Sequence, residues 1–158
     1  MAALEIRIEK TNLAQELEKT HGLDFSLSQK HKWDAGYDVR ACIPFTTFIA
    51  PGERKIIPIG LKIELLSEVY EIQCRPRSGL AAKYGIMIVN SPGTIDAGYK
   101  DEIMVILYNS GKNNFKVEPG DRIAQLCFRA VPSLDIYYVD AISREDDRGG
   151  GFGSSGVK

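Results

Sequence analysis

The sequence predicts an all-β protein, a sandwich, jelly roll or barrel with one short helix, and three observations carry that expectation. From Tyr37 onward nine short β-rich runs follow one another, punctuated by Pro and Gly at the spacing of successive strands. Residues 4–9, Leu-Glu-Ile-Arg-Ile-Glu, alternate apolar and charged, which marks a half-buried strand. Helical spacing is confined to short stretches.

In chain order, the strand at 4–9 leads to a short helix with Asn12 as N-cap, running through about Lys19 with Leu13, Ala14 and Leu17 on one side. The strands that follow are expected at 37–43, 55–59, 61–65, 70–74, 86–89, 103–108, 114–117, 122–129 and 136–139. Residues 79–85, with two alanines and Leu80, read as one or two helical turns wedged among them. Residues 1–143 form one domain, with 1–32 as an N-terminal strand and lead-in. Residues 144–158, REDDRGGGFGSSGVK, contain almost nothing that could join a core, and their glycines make ordering entropically costly. They are expected to be a mobile tail.

A chain of 158 residues can bury roughly 68–70% of its unfolded surface, enough for one sizeable core. Its apolar and charged fractions are those of an ordinary soluble protein, with no run long enough to span a membrane. A net charge of -1 argues against general nucleic-acid binding, which needs a basic face to displace counterions from phosphates. Anions must be met locally, by arginines beside Gly or Ser such as Arg77 and Arg148. Cys42, Cys74 and Cys127 are odd in number and widely spaced, so neither a disulfide framework nor a zinc knuckle is suggested. MAALEIRIEK has no secretory-signal pattern. A reducing, cytoplasmic location is the expectation.

The chemistry concentrates at 90–99, Asn-Ser-Pro-Gly-Thr-Ile-Asp-Ala-Gly-Tyr, which reads as a hairpin between the runs 86–89 and 103–108. Turn formation accounts for Asn90, Pro92, Gly93 and Gly98. Asp96 and Tyr99 are surplus to it. A carboxylate three residues before an aromatic can position a water or metal beside a ring-shaped ligand; the alternative is an Asx-turn with a tyrosine packed on it. Three segments can cradle an anion. Pro76-Arg77-Ser78-Gly79-Leu80-Ala81 sets a guanidinium, a hydroxyl and a glycine amide at a helix start, unless Ser78 merely caps that helix. Gly120-Asp121-Arg122-Ile123-Ala124-Gln125 opens a strand in which Asp121 and Arg122 read as a structural ion pair and Gln125 as an outward amide donor. The tail, with Arg148, Phe152, Gly153, Ser154 and Ser155, is the third.

No Walker A or Rossmann glycine pattern stands between a strand and a helix, so phosphate recognition is built differently. His21 and His31 are the only histidines, which disfavours a histidine-based catalytic triad or metal site. A hard cation held by phosphate oxygens and carboxylates through water stays open, with Asp38 as the carboxylate to name.

In order, Ala-Gly-Tyr-Asp-Val-Arg-Ala from Ala35, the Arg77 segment, the Asn90 segment, Gly-Asp-Arg-Ile-Ala-Gln-Leu from Gly120 and Arg-Gly-Gly-Gly-Phe-Gly-Ser-Ser-Gly from Arg148 resemble the five motifs of the homotrimeric dUTP diphosphatase (dUTPase) family. The likeness runs from about residue 33 to the C-terminus. It implies a distorted jelly-roll or β-clip barrel, a homotrimer with shared active sites, and Mg²⁺-dependent hydrolysis of dUTP to dUMP and diphosphate. By the same resemblance, Asp96 is the general base for the water that attacks the α-phosphorus. Tyr99 packs on the deoxyribose and excludes a 2′-hydroxyl. Asn90 and the backbone of Gly93, Thr94 and Ile95 meet the uracil edge. Arg77, Ser78, Gly79 and Gln125 hold phosphates, and Asp38 acts through metal-bound water or through Arg77. The tail at 144–158 closes over a neighbouring subunit's site, with Phe152 on the base, Arg148 at the γ-phosphate and Gly153 and Ser154 beside them.

Two positions depart from the family pattern: Asp101 replaces a usual glycine, and the step from Arg148 to Phe152 is one residue short, which makes Arg144 a substitute for Arg148. A dCTP deaminase of the same fold, or a nucleotide-sensing protein, are the rival readings. Ammonia release would mark the first, and the intact Asp96 argues against the second, because a pure binder has no need for a base at the scissile phosphate.

Overall fold

The computed structural model describes residues 4–145. Arg148, Phe152, Gly153 and Ser154, with the lid expected of them, lie outside the described residues. The chain runs β1 (Ile6–Lys10), α1 (Asn12–His21), β2 (Tyr37–Arg40), β3 (Thr47–Ile49), β4 (Arg54–Pro58), β5 (Leu61–Leu65), β6 (Tyr70–Arg75), α2 (Ser78–Tyr84), β7 (Ile86–Ile88), β8 (Gly93–Ile95), β9 (Met104–Asn109), β10 (Phe115–Val117) and β11 (Arg122–Ala130). All named strand pairs are antiparallel. They form sheets β2-β11-β6-β8, β4-β9-β7, β1-β5 and β10-β3. This is the distorted jelly roll that the family resemblance implied, one of the three architectures that the strand spacing allowed.

Alternation explains the core. β5 reads buried, half-buried, buried along Leu61, Lys62, Ile63, Glu64 and Leu65, so its leucines and isoleucine point inward and its charges outward. Ile49, Ile59, Ile72, Leu107 and Leu126 belong to the same core cluster and are all at most 1% exposed. The lead-in joins the same core through Ala14, Leu17 and Phe25. Its helix starts one residue earlier than Asn12 would set it: Thr11 is the N-cap, its hydroxyl accepting from the Ala14 amide, and Gly22 closes the helix with φ of 65°.

Three sequence expectations change. Thr47–Ile49 and Gly93–Ile95 are strands although neither run is long enough to carry a period. Residues 136–139 are not a strand: Ile136, Tyr137, Tyr138 and Val139 are 61–97% exposed and their backbone pairs with no other described strand. The hairpin is also compound. β7 and β9 pair as its arms, yet Gly93–Ile95 leaves them to pair with β6, so the connecting segment bridges two sheets. The Ser91–Pro92 peptide is cis.

Candidate functional site

The bridge between sheets creates a pocket of about 200 Å³. Its apolar wall comes from Cys74, Ile88, Ile103 and Val105, and its polar rim from Asn90, Thr94, Asp96 and Tyr99, with Gly93 and Ile95 between. A Cβ on Gly93 would sit 3.0 Å from Asn90 Nδ2, so glycine lets this amide lie against strand β8. Asp96 and Tyr99 are coupled by the backbone, since the Tyr99 amide donates to the Asp96 carbonyl at 3.0 Å. The turn is therefore a main-chain β-turn and not an Asx-turn. Asp96 is exposed, and no described residue bonds its carboxylate. Burial pushes the Cys74 thiol up to about 12, so it stays protonated and is no nucleophile in this pocket.

The phosphate candidates assemble elsewhere. Arg77 Nε donates to Asp38 Oδ1 at 3.0 Å, Arg122 Nη1 to Asp38 Oδ2 at 3.1 Å, and Arg77 Nη1 to the Arg122 carbonyl at 3.1 Å. One half-buried carboxylate thus holds two guanidiniums side by side. The expected Asp121–Arg122 pair is replaced: Asp121 faces back into its turn and accepts from the Glu118 amide, while Arg122 is taken by Asp38. The cause is strand register, which sets β2 against β11 with Asp38 opposite Gln125. Gln125 does not reach outward either; its Nε2 donates to the Pro76 carbonyl at 2.9 Å. Ser78 does not cap α2, because the N-cap is Arg77 and makes no side-chain capping bond; Ser78 and Gly79 are exposed in the first turn.

These two groups lie on opposite sides of one sheet. Successive residues of a strand face opposite ways. Cys74 points to the pocket, whereas Arg75 shares a second cavity, of about 280 Å³, with Asp38 and Gln125. Register agrees, pairing Cys74 with Gly93 and Arg75 with Gln125. The structure therefore brings Asn90, Gly93, Thr94, Ile95, Asp96 and Tyr99 together, and separately Asp38, Arg77 and Gln125, but does not merge the two.

Sequence reasoning missed Arg122 as the second guanidinium and Gly36 as its neighbour's support. A Cβ on Gly36 would collide with Gln125 Oε1. The signal existed in the motif Ala35-Gly36-Tyr37-Asp38, whose glycine had no turn to explain it.

An apolar pocket with a polar strand edge, an open carboxylate at its rim and a guanidinium pair in the same chain defines a β protein that handles nucleotides. Comparison with known proteins narrows the class. The dUTPase family model matches residues 26–156. The deoxyuridine 5'-triphosphate nucleotidohydrolase of Maricaulis maris is 48% identical over 126 residues, spanning 78% of this chain and 82% of its own. That of Neorickettsia sennetsu is 42% identical over 139 residues, spanning 87% and 93%. Among solved structures, the Staphylococcus bacteriophage 80alpha dUTPase with dUPNHPP superposes with a TM-score of 0.76 at 25% identity, covering 97% of this chain and 99% of that one. The chain belongs to the dUTPase family.

Proposed function

We infer that this protein hydrolyses dUTP to dUMP and diphosphate, and the observation that carries the reading is the uncommitted Asp96 carboxylate at the rim of a pocket that has a polar strand edge. A general base needs free lone pairs within reach of a water. Asp96 takes the proton as the water oxygen bonds to the α-phosphorus, and diphosphate leaves with the electrons of the broken phosphoanhydride bond. Asn90 and the β8 backbone read the base edge, and committed donors and acceptors of this kind reject a mismatched base. The product dUMP and the removal of dUTP serve thymidylate synthesis and keep uracil out of DNA.

Mg²⁺ fits as a companion of the substrate. Among the described residues no three or more His, Cys, Asp or Glu side chains cluster to hold a metal, and Mg²⁺ commonly binds through phosphate oxygens and water instead of an all-protein cage. Asp38, whose two oxygens each keep a lone-pair direction beyond the arginines, would accept from a metal-bound water. When bound, the ion offsets phosphate charge. A dUTPase from phage phi11 of S. aureus, alike in fold, coordinates a structural Mg(II) ion.

A homotrimer with shared sites is supported by two features. The pocket and the guanidinium pair face away from each other in one chain, so a single triphosphate needs a second copy to touch both. Beyond β11, Leu134, Ile136, Tyr137 and Tyr138 are 71–97% exposed, more apolar surface than an isolated chain should leave in water. The arm leads into Arg148, Phe152, Gly153 and Ser154, which would close over another subunit's site. No described helix is long and apolar enough to cross a membrane; the cytoplasmic location remains our reading from cysteine usage.

The test is incubation with dUTP, dCTP, dTTP and UTP, with and without Mg²⁺, assaying diphosphate and ammonia. Diphosphate from dUTP alone is expected; ammonia from dCTP would replace the reading with a deaminase. Mixing refolded Asp96→Asn and Arg77→Ala chains tests sharing, since only mixed oligomers can restore an intact site and so regain turnover.

A further inference from the structure

We propose that Glu102 is a positioning residue that fixes the ring of Tyr99, and through it the preference for deoxyribose over ribose. The inference rests on the reading of Tyr99 as the sugar-facing residue of a dUTP hydrolase. Tyr99 is 41% exposed on a turn beside Gly98, where nothing packs around the Cβ direction of the glycine. An aromatic ring in such a place cannot act as a steric gate unless something else holds it.

The structure supplies a chain of holds. The Tyr99 hydroxyl donates to the Glu102 main-chain carbonyl at 2.9 Å, closing a ring of atoms within the turn. The same residue then ties the turn to the body of the protein, because Glu102 Oε1 accepts from the Gly60 amide at 2.8 Å. Gly60 is a fixed point. It is buried, has φ of 74°, and a Cβ there would meet Cys42 Sγ at 2.7 Å and Ala14 Cβ at 2.8 Å. Its carbonyl accepts from Thr11, the N-cap of α1, at 2.9 Å. Adjacent backbone bonds from Ile103 to Leu61 at 3.0 Å and from Ile59 to Ile103 at 3.2 Å brace the same corner. Lys100, which bonds Glu64 Oε1 at 3.4 Å, adds only an exposed tie.

Glu102 therefore touches Tyr99 with its backbone and the core with its side chain. Removing the side chain leaves the buried Gly60 amide without its acceptor and frees the carbonyl on which the Tyr99 hydroxyl rests. The expected result concerns selectivity more than rate, because the ring borders the sugar and Asp96 is the group at the phosphorus. Glutamine in place of Glu102 retains an oxygen acceptor for Gly60, so charge is not what the role needs.

The experiment measures kcat/KM for dUTP and for UTP in the unaltered chain and in Glu102→Ala, Glu102→Gln, Tyr99→Phe, Tyr99→Ala and the double variant Glu102→Ala/Tyr99→Phe. Glu102→Ala is expected to lower the dUTP-over-UTP ratio about tenfold, a modest share of the roughly hundredfold that an ångström of misplacement can cost. Glu102→Gln restores the ratio, and the double variant loses no more than its singles, since both cut one linkage. A Glu102→Ala ratio equal to that of the unaltered chain, with Tyr99→Ala collapsing it, overturns the positioning role and leaves the sugar gate standing. An unchanged ratio in Tyr99→Ala sinks the gate and this proposal with it. Should Glu102→Ala fail to fold, Tyr99→Phe severs the same tie from the other end, and an unchanged ratio there overturns the proposal equally.

Discussion

Asp96 and Asp38 are both carboxylates of the candidate site, yet their surroundings are opposite. Asp96 stands exposed on a turn with no described partner, and only the backbone beneath it is fixed. Asp38 has a side chain 19% exposed and spends one oxygen on Arg77 and the other on Arg122. The difference fits the division of work proposed above: a group whose lone pairs are open can receive a proton, while a group bridging two guanidiniums holds cations side by side. The same contrast separates the two faces of the β2-β11-β6-β8 sheet, the pocket with its open carboxylate on one and the paired guanidiniums on the other.

Replacing Asp96 with Asn should cause the largest loss. It keeps size and hydrogen bonding but removes the base, so kcat should fall by about 10²–10⁴ while binding of a non-hydrolysable dUTP analogue, measured by calorimetry, stays close to that of the parent. A fall of less than tenfold would erase the contrast between the carboxylates. Asp38→Asn should act differently. It offers one acceptor and turns an amide N–H toward the second guanidinium, so the arginines separate and KM should rise about tenfold, with a stability loss of about 1–3 kcal/mol between the values for exposed and buried ion pairs. Equal loss of kcat in both variants would mean that Asp38 touches the reaction directly.

A smaller effect sharpens the division further. Gly36→Ala places a methyl where Gln125 Oε1 now lies, forcing that side chain to move or β2 to shift. Loss of the bond from Gln125 to Pro76 should cost about 0.5–1.5 kcal/mol, seen as a lower denaturant midpoint, and raise KM severalfold without altering base selectivity. A change in the dUTP-over-dTTP ratio would tie Gln125 to the other face.

The contrast between the two faces was only partly readable in advance. Strand runs such as Leu61–Leu65 were legible because each carries its own period and turn signals. β3 and β8 were not, being three residues each and stabilised by partners distant in sequence. Residues 136–139 carry β-forming side chains but find no described strand to pair with, which local propensity cannot foresee. Asp96 and Tyr99 stood out as residues that a turn did not need. Arg122 did not, because its partner Asp38 is 84 positions away and becomes a neighbour only through the pairing of β2 with β11. Residue types announced the pocket; register decided the cluster.

The smallest functional effect should come from a third carboxylate, Glu18, which lies in the lead-in and serves neither face. Its Oε1 accepts from Lys10 Nζ at 2.6 Å and from the Phe25 amide at 2.9 Å, holding the descending segment so that Phe25 stays 2% exposed. The Lys10 bond, followed by the Phe25 amide, lowers the Glu18 pKa below its ordinary 4.5. A carboxyl acidified by folding stabilises the folded state above the unfolded-chain pKa and loses that contribution as pH falls through the folded value. Glu18→Gln should therefore have a lower urea midpoint than the parent at pH 7, and the gap should close as the pH is taken below 4.5 and on through the depressed folded value. Turnover of dUTP at pH 7 should be unchanged. A gap that persists undiminished in acid would mean that Glu18 works by packing and its hydrogen bonds alone, and a change in turnover would show that the lead-in reaches the pocket through Thr11 and Gly60.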